Sequence, residues 1–236
     1  MIRPSHTEKQ LFERLRTAEP SVEVRARCAD PVRCTQLFRA LLQRCARLQR
    51  SGVEVMEAQL DRALAELPDP ERALVHIDRI VEASFSPTAV LEDLLRVPNL
   101  LHRLFRLVTC SRWLADTMGG DASLFRWLLT TDVLQQEPSS AALHEQVKVA
   151  MERFPPGPQR RNTLRRLQRR ELLRIATADV LGVKSMRAVL AELSGLADAI
   201  VSAAWEEACA VTARRTGKDI SVPVAILALG KLGGEE

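Results

Sequence analysis

The chain has 236 residues, 46% of them hydrophobic and 27% charged. That balance, with a mean hydropathy of −0.08, excludes a collagen-like, a low-complexity and a disulfide-scaffold protein. The formal net charge of +4 is carried by arginine, because only five of the 34 basic residues are lysines (Lys9, Lys148, Lys184, Lys218 and Lys231). With six Phe, three Trp and no Tyr, this excess lacks the stacking groups of a nucleic-acid binder, so a nucleic-acid partner is not expected. No run of eighteen apolar residues occurs and the N-terminus has no apolar signal core, so neither a membrane span nor a secretory signal is expected. Five cysteines without a CxxC pair point to reduced thiols and a cytoplasmic location rather than a zinc site.

Up to residue 215 the pattern is helical. Asp30-Pro31, Asp69-Pro70 and Ser86-Pro87 each pair a capping residue with a proline at the first helical position. Apolar residues then follow at helical spacing, as in Leu74, Ile77, Ile80 and Val81. Ser111 precedes another such segment, and Trp113, Trp127 and Trp205 read as core residues. His76 reads as a rim residue, and Cys110 and Cys209 as small apolar ones. The prolines follow no fixed period, so the spacing predicts an irregular bundle rather than a repeat array. Pro155-Pro156-Gly157-Pro158 reads as a hinge or connector. Two long helices are predicted next, from about Gln159 to Leu181 with Gly182 as stop, and from near Ser185 to about Arg215 with Gly217 closing it. Then the character changes. Val222 to Leu229 is a continuous apolar run, rich in β-branched residues, that reads as a buried strand. A lone strand leaves its backbone groups unpaired, so the chain reads as cut at the opening of a second, sheet-containing domain.

The glycines after that run are suited to a close backbone approach to phosphate. Gly230-Lys231-Leu232-Gly233-Gly234 matches neither the P-loop nor the dinucleotide fingerprint. Together with the preceding apolar run it resembles the start of the nucleotidyltransferase motif of the glutamine-synthetase adenylyltransferase family, the bifunctional adenylylating and adenylyl-removing enzymes. The stretch Arg169-Arg170-Glu171-Leu172-Leu173-Arg174-Ile175-Ala176 through Gly182 is similar to that family's helical signature, as is Leu190 through Ile200. Pro70–Leu74 and Ser111–Ala115 resemble its helical lead-in. The likeness runs from about residue 69 to 236.

The resemblance implies a fold that is mainly α: an irregular helical bundle, two long helices, and the first strand of a truncated nucleotidyltransferase α/β domain. It divides the chain into residues 1–68 of unknown role, a helical lead-in over 69–154, two long helices over 159–217 packing on the catalytic domain, and a strand and glycine loop over 222–236. It implies that Gly230, Lys231, Gly233 and Gly234 bind nucleotide, that ATP and Mg2+ are the cofactors, and that glutamine synthetase and the PII signalling protein are partners. The reaction it implies is addition of AMP to, or removal of AMP from, a tyrosine of glutamine synthetase. The metal-binding aspartates of the family motif follow its glycine loop. Glu235 and Glu236 are adjacent and point apart, so the 236 residues alone are expected to be inactive and to hold no metal.

Seven arginines, Arg160, Arg161, Arg165, Arg166, Arg169, Arg170 and Arg174, form a basic ridge on the first long helix. The alternative reading is a non-catalytic all-helical interaction module that docks through this ridge. Glu171 and Asp179 fall on the apolar face with Leu164, Ile175 and Ala178. They are expected to be structural ion-pair residues, with Arg170 and Arg174 among the cations and a neighbouring helix supplying the partner. The four histidines are scattered, and metal binding by them is not expected.

Overall fold

The computed structural model describes residues 6–46, 52–97, 99–130, 132–218 and 224–226. The described residues are helical, with no strand among them. They form two compact units, Met1–Thr131 and Asp132–Glu236.

The first unit contains α1 (His6–Thr17), α2 (Val22–Ala26), α3 (Pro31–Ala46), α4 (Gly52–Ala65), α5 (Pro70–Ala83), α6 (Pro87–Arg96), α7 (Leu100–Cys110), α8 (Arg112–Gly120) and α9 (Ala122–Thr130). Short polar side chains start several of these helices. Asp69 accepts from the Arg72 N–H at 3.0 Å, Ser86 from Ala89 at 3.4 Å and Ser111 from Leu114 at 3.4 Å. Each satisfies a first-turn amide that the helix itself cannot pair. The far end of α4 is closed from outside, where Arg27 donates to the carbonyls of Ala65 (2.6 Å) and Leu67 (2.9 Å). Helix α5 is central and packs on α3, α7 and α8. It buries Leu74, Ile77, Ile80 and Val81, while α7 buries Leu104, Phe105 and Val108. A division after residue 68 does not exist, because α3 and α4 lie before that point and pack on α5 and α7 after it.

The second unit contains a 3-10 turn (Asp132–Gln135), α10 (Ser140–Glu152), α11 (Pro158–Val180) and α12 (Met186–Thr216). Leu143, Val147, Met151, Leu164, Ile175, Val189, Leu196 and Ala199 form its core. Helix α11 ends where the glycine signal places it. Gly182 has φ +67°, its N–H reaches the Asp179 carbonyl at 2.9 Å, and Val183 N–H reaches the Ala178 carbonyl at 2.8 Å. That pair of bonds is a Schellman closure, which needs a left-handed residue at Gly182. Ser185 caps α12, and Gly217, at φ +69°, ends it.

Four expectations need correction. The proline-rich stretch is not a boundary between units, since α10 on one side packs against α11 and α12 on the other. Trp113 and Trp205 are 43% and 40% exposed rather than core. Cys110 is exposed, so it is not an apolar filler, and His76 is buried rather than at the rim. The expected strand lies mostly outside the described residues. Its described part, Val224 to Ile226, carries no regular secondary structure.

Candidate functional site

The second unit is organised around charges that sit inside it. Arg174 on α11 is 1% exposed. Its Nε donates to Glu171 Oε2 at 2.8 Å, three residues back on the same helix. Its Nη2 lies 2.7 Å from Glu192 Oε2 on α12, and its Nη1 donates to the Gln136 carbonyl at 3.1 Å. Lys184, in the turn between the helices, pairs with Glu192 and donates to the same Gln136 carbonyl at 2.5 Å. Glu171 and Glu192 are both buried. Two carboxylates therefore meet two cations, and one backbone carbonyl completes the set. Charges taken out of water persist only when paired in this way. The cluster ties the segment just after the 3-10 turn, helix α11 and helix α12 together.

A third buried carboxylate closes the other end of α11. The N-cap there is Gly157, which has no side chain to cap with. Glu207 of α12 takes its place, accepting from the Gly157 N–H at 2.6 Å. Arg160 and Arg161 approach the same carboxylate at 3.8 and 4.0 Å. A negative charge at a helix N-terminus also meets the positive end of the helix dipole. The connector is held further by Arg160 Nε to the Phe154 carbonyl (2.6 Å) and Arg214 Nη1 to the Pro156 carbonyl (3.3 Å). The prolines therefore mark a pinned turn rather than a hinge.

Of the residues singled out from sequence, Glu171 and Arg174 come together, but on one helix rather than across two. Asp179 is exposed and makes no ion pair among the described residues. Its inward placement is corrected because the buried arc of α11 is rotated toward Leu173, Arg174, Thr177 and Ala178, leaving Asp179 past its edge. Arg170 is on the exposed side, as are Arg161, Arg165, Arg166 and Arg169. Arg174 leaves the ridge for the interior.

Gly230, Lys231, Gly233 and Gly234 lie outside the described residues. Among the described residues no group of three or more His, Cys, Asp or Glu side chains is placed to hold a metal. The buried carboxylates of the second unit already face arginine or lysine, so these residues do not fit a magnesium site. Helix α12 is long and apolar enough to cross a membrane by length and composition alone, with a third of its most apolar stretch buried. Its Glu192 and Glu207 are instead committed to ion pairs with α11 and the turn before α12.

The sequence profile of glutamate–ammonia ligase adenylyltransferase matches residues 101–236, more than half of the chain. The chain belongs to this family. Two curated relatives, both named bifunctional glutamine synthetase adenylyltransferase/adenylyl-removing enzyme, agree with it. The one from Aromatoleum aromaticum is 27% identical over 79% of this chain, and the one from Idiomarina loihiensis is 29% identical over 71%. The chain spans about a fifth of the length of these relatives (20% and 18%). In this adenylyltransferase-family chain the matched region opens in α7 and includes the whole of the second unit. Both buried charge clusters fall inside it.

Sequence reasoning did not single out Lys184, Glu192 or Glu207. A signal was present for the two glutamates. Positions 189, 192, 196, 199, 203 and 207 advance by three or four residues, which is one helical face. Glutamate at two of those six positions marks a buried carboxylate in need of a cation.

Proposed function

We propose that this chain is a portion of an enzyme that transfers AMP onto, or removes it from, a tyrosine of glutamine synthetase in nitrogen regulation. The observation that carries this reading is the family match running unbroken from α7 through the glycine motif at Gly230–Gly234. The activity for which both relatives are named supports it. In this reading the second unit is the helical support of a nucleotidyltransferase domain. Gly230, Lys231, Gly233 and Gly234 supply the backbone loop that faces the nucleotide phosphates, since glycine lets a backbone approach phosphate closely. ATP and Mg2+ are the cofactors of addition, glutamine synthetase and PII the protein partners, and the cytoplasm the location.

The test is made in the source cells. Gly233→Val and Gly234→Val are introduced together, and AMP on glutamine synthetase is read by intact-protein mass spectrometry after ammonium upshift and downshift. The expected result is a modification state fixed in one form. A state that still follows nitrogen supply as in unaltered cells refutes the proposal.

A further inference from the structure

The outward face of α11 gathers charge of one sign. Leu164 and Leu167 turn toward the core of the second unit. At 3.6 residues per turn, Arg161, Arg165, Arg166, Arg169 and Arg170 fill the opposite half of the same turns, and all five are exposed. They form two rows with members four residues apart, Arg161-Arg165-Arg169 and Arg166-Arg170. Each step rises about 6 Å, and the face is about 14 Å long. No acidic residue occurs between Glu152 and Glu171, and Glu171 is turned inside to meet Arg174. Arg165 and Arg166 donate to the neutral acceptors Asn162 and Thr163, each at 3.3 Å. Arg161 approaches Glu207 only to 4.0 Å and keeps 45% of its side chain exposed. Exposed arginines of the first unit are matched more closely: Arg14 by Glu54 at 2.5 Å, Arg79 by Asp116 at 3.2 Å and Arg126 by Asp93 at 2.8 Å. Like charges three and four residues apart weaken a helix, so the stability of α11 does not explain these side chains.

We propose that this face docks an acidic α-helix of another protein, with carboxylates four residues apart set against the arginine rows. Guanidinium forks bind carboxylate and phosphate alike, two N–H groups to two oxygens, so the extent of the face and its surroundings select the occupant. Residues 132–236, the second unit, carry 15 basic and 13 acidic side chains. Taking away these five arginines leaves that unit net negative. Duplex DNA carries a charge about every 1.7 Å along its axis, and it would continue past a face of about 14 Å over a unit that is otherwise acidic. No aromatic side chain lies between Pro158 and Arg170 to stack a base. A membrane surface takes an apolar strip beside the cations, and the apolar strip of α11 is turned into the core. An acidic helix meets none of these obstacles. It is compact, and its carboxylates recur at the same rise of about 6 Å as the arginines opposite. The inference does not depend on the catalytic reading above.

Fluorescence anisotropy of a labelled peptide titrated with the full chain tests it. The probe is an alanine-based peptide with glutamate at every fourth position, held helical by an internal staple. Its control carries the same charge and is broken by proline. Docking predicts that the stapled peptide binds about tenfold more tightly than the broken one, and that Arg165→Gln with Arg169→Gln weakens it by about tenfold. Arg187→Gln, at an exposed arginine in the first turn of α12, should leave the affinity unchanged. The double variant should melt no lower than the unaltered chain, because it removes like-charge neighbours. Failure of the stapled peptide to bind, equal affinity for the two peptides, or binding that survives the double substitution overturns the proposal. So does a lower melting temperature of the double variant, which would make the arginines structural. Tighter binding to duplex DNA or to phosphatidylglycerol vesicles than to the stapled peptide, in the same salt, overturns it as well.

Discussion

Replacing Arg174 by methionine probes the buried charge cluster most directly. The side chain meets Glu171 at 2.8 Å, Glu192 at 2.7 Å and the Gln136 carbonyl at 3.1 Å. Lys184 still serves Glu192 and Gln136 in the variant. Glu171 is left buried with no cation, and an orphaned buried charge of this kind costs about 3–5 kcal/mol. The double variant Glu171→Leu with Arg174→Met removes the orphan as well as the cation. It keeps the remaining one-to-one pair of Glu192 and Lys184, and its cost should fall to about 1–2 kcal/mol, since an apolar replacement of an ion pair is often near neutral. The second change therefore rescues the first. Amide exchange of peptides from α11 and α12 in urea reads the opening free energy of this unit separately from the other. A single variant as stable as the double, or within about 1 kcal/mol of the unaltered chain, shows that Arg174 is not holding two buried carboxylates.

Three further outcomes follow from the geometry. Glu207→Ala strips the Gly157 N–H of its acceptor at the half-buried start of α11 and should cost about 1–3 kcal/mol in thermal or urea unfolding of the second unit; an unchanged midpoint would remove Glu207 as the cap. Gly182→Ala places a side chain at φ +67° and should destabilise by about 1–2 kcal/mol, whereas Gly119→Ala, in the last turn of α8 with open space around its Cβ, should be neutral or stabilising by about 0.5–1 kcal/mol. Equal unfolding midpoints for the two variants would contradict the left-handed closure of α11. Burial, followed by Arg72 and Arg79, holds the His76 imidazole below its ordinary value of 6.5, with Arg112 acting in the same direction and Asp116 opposing. A lowered value means that the stabilising contribution is complete above pH 6.5 and is lost as pH falls toward the folded-state value. His76→Phe should flatten the fall in stability of the first unit between neutral and mildly acid pH, and an unaltered pH profile would show that this imidazole is not the group titrating.

The helix ends were legible because their causes are local. A left-handed glycine at 182 or 217, a serine before 186 and a proline after Asp69 or Ser86 act through one turn of backbone. Positions that depend on a partner elsewhere in the chain were harder to read. Asp179 and Arg174 lie near opposite edges of the apolar stripe, and hydropathy alone cannot choose which edge faces α12. Arg174 is drawn inside because Glu192 waits there, eighteen residues further along. The prolines at 155, 156 and 158 suggest a hinge only until Glu207 and Arg214 of the next helix are seen fastening that turn.

The two buried carboxylates of α12 also explain how so apolar a helix keeps a fixed rotation. Its apolar residues surround most of the circumference, so hydrophobic burial alone discriminates weakly between one facing and another. Glu192 and Glu207 remove that ambiguity. They lie fifteen residues apart on one face, and each must meet its own cationic or N–H partner at an opposite end of α11. Turning α12 to bury the Val201–Trp205 stripe instead would move both glutamates off their partners together. It would leave Arg174 and the start of α11 uncompensated, a penalty of several kcal/mol at each end. The ion pairs therefore hold that stripe outward, fixed in direction, against the apolar attraction that would otherwise bury it.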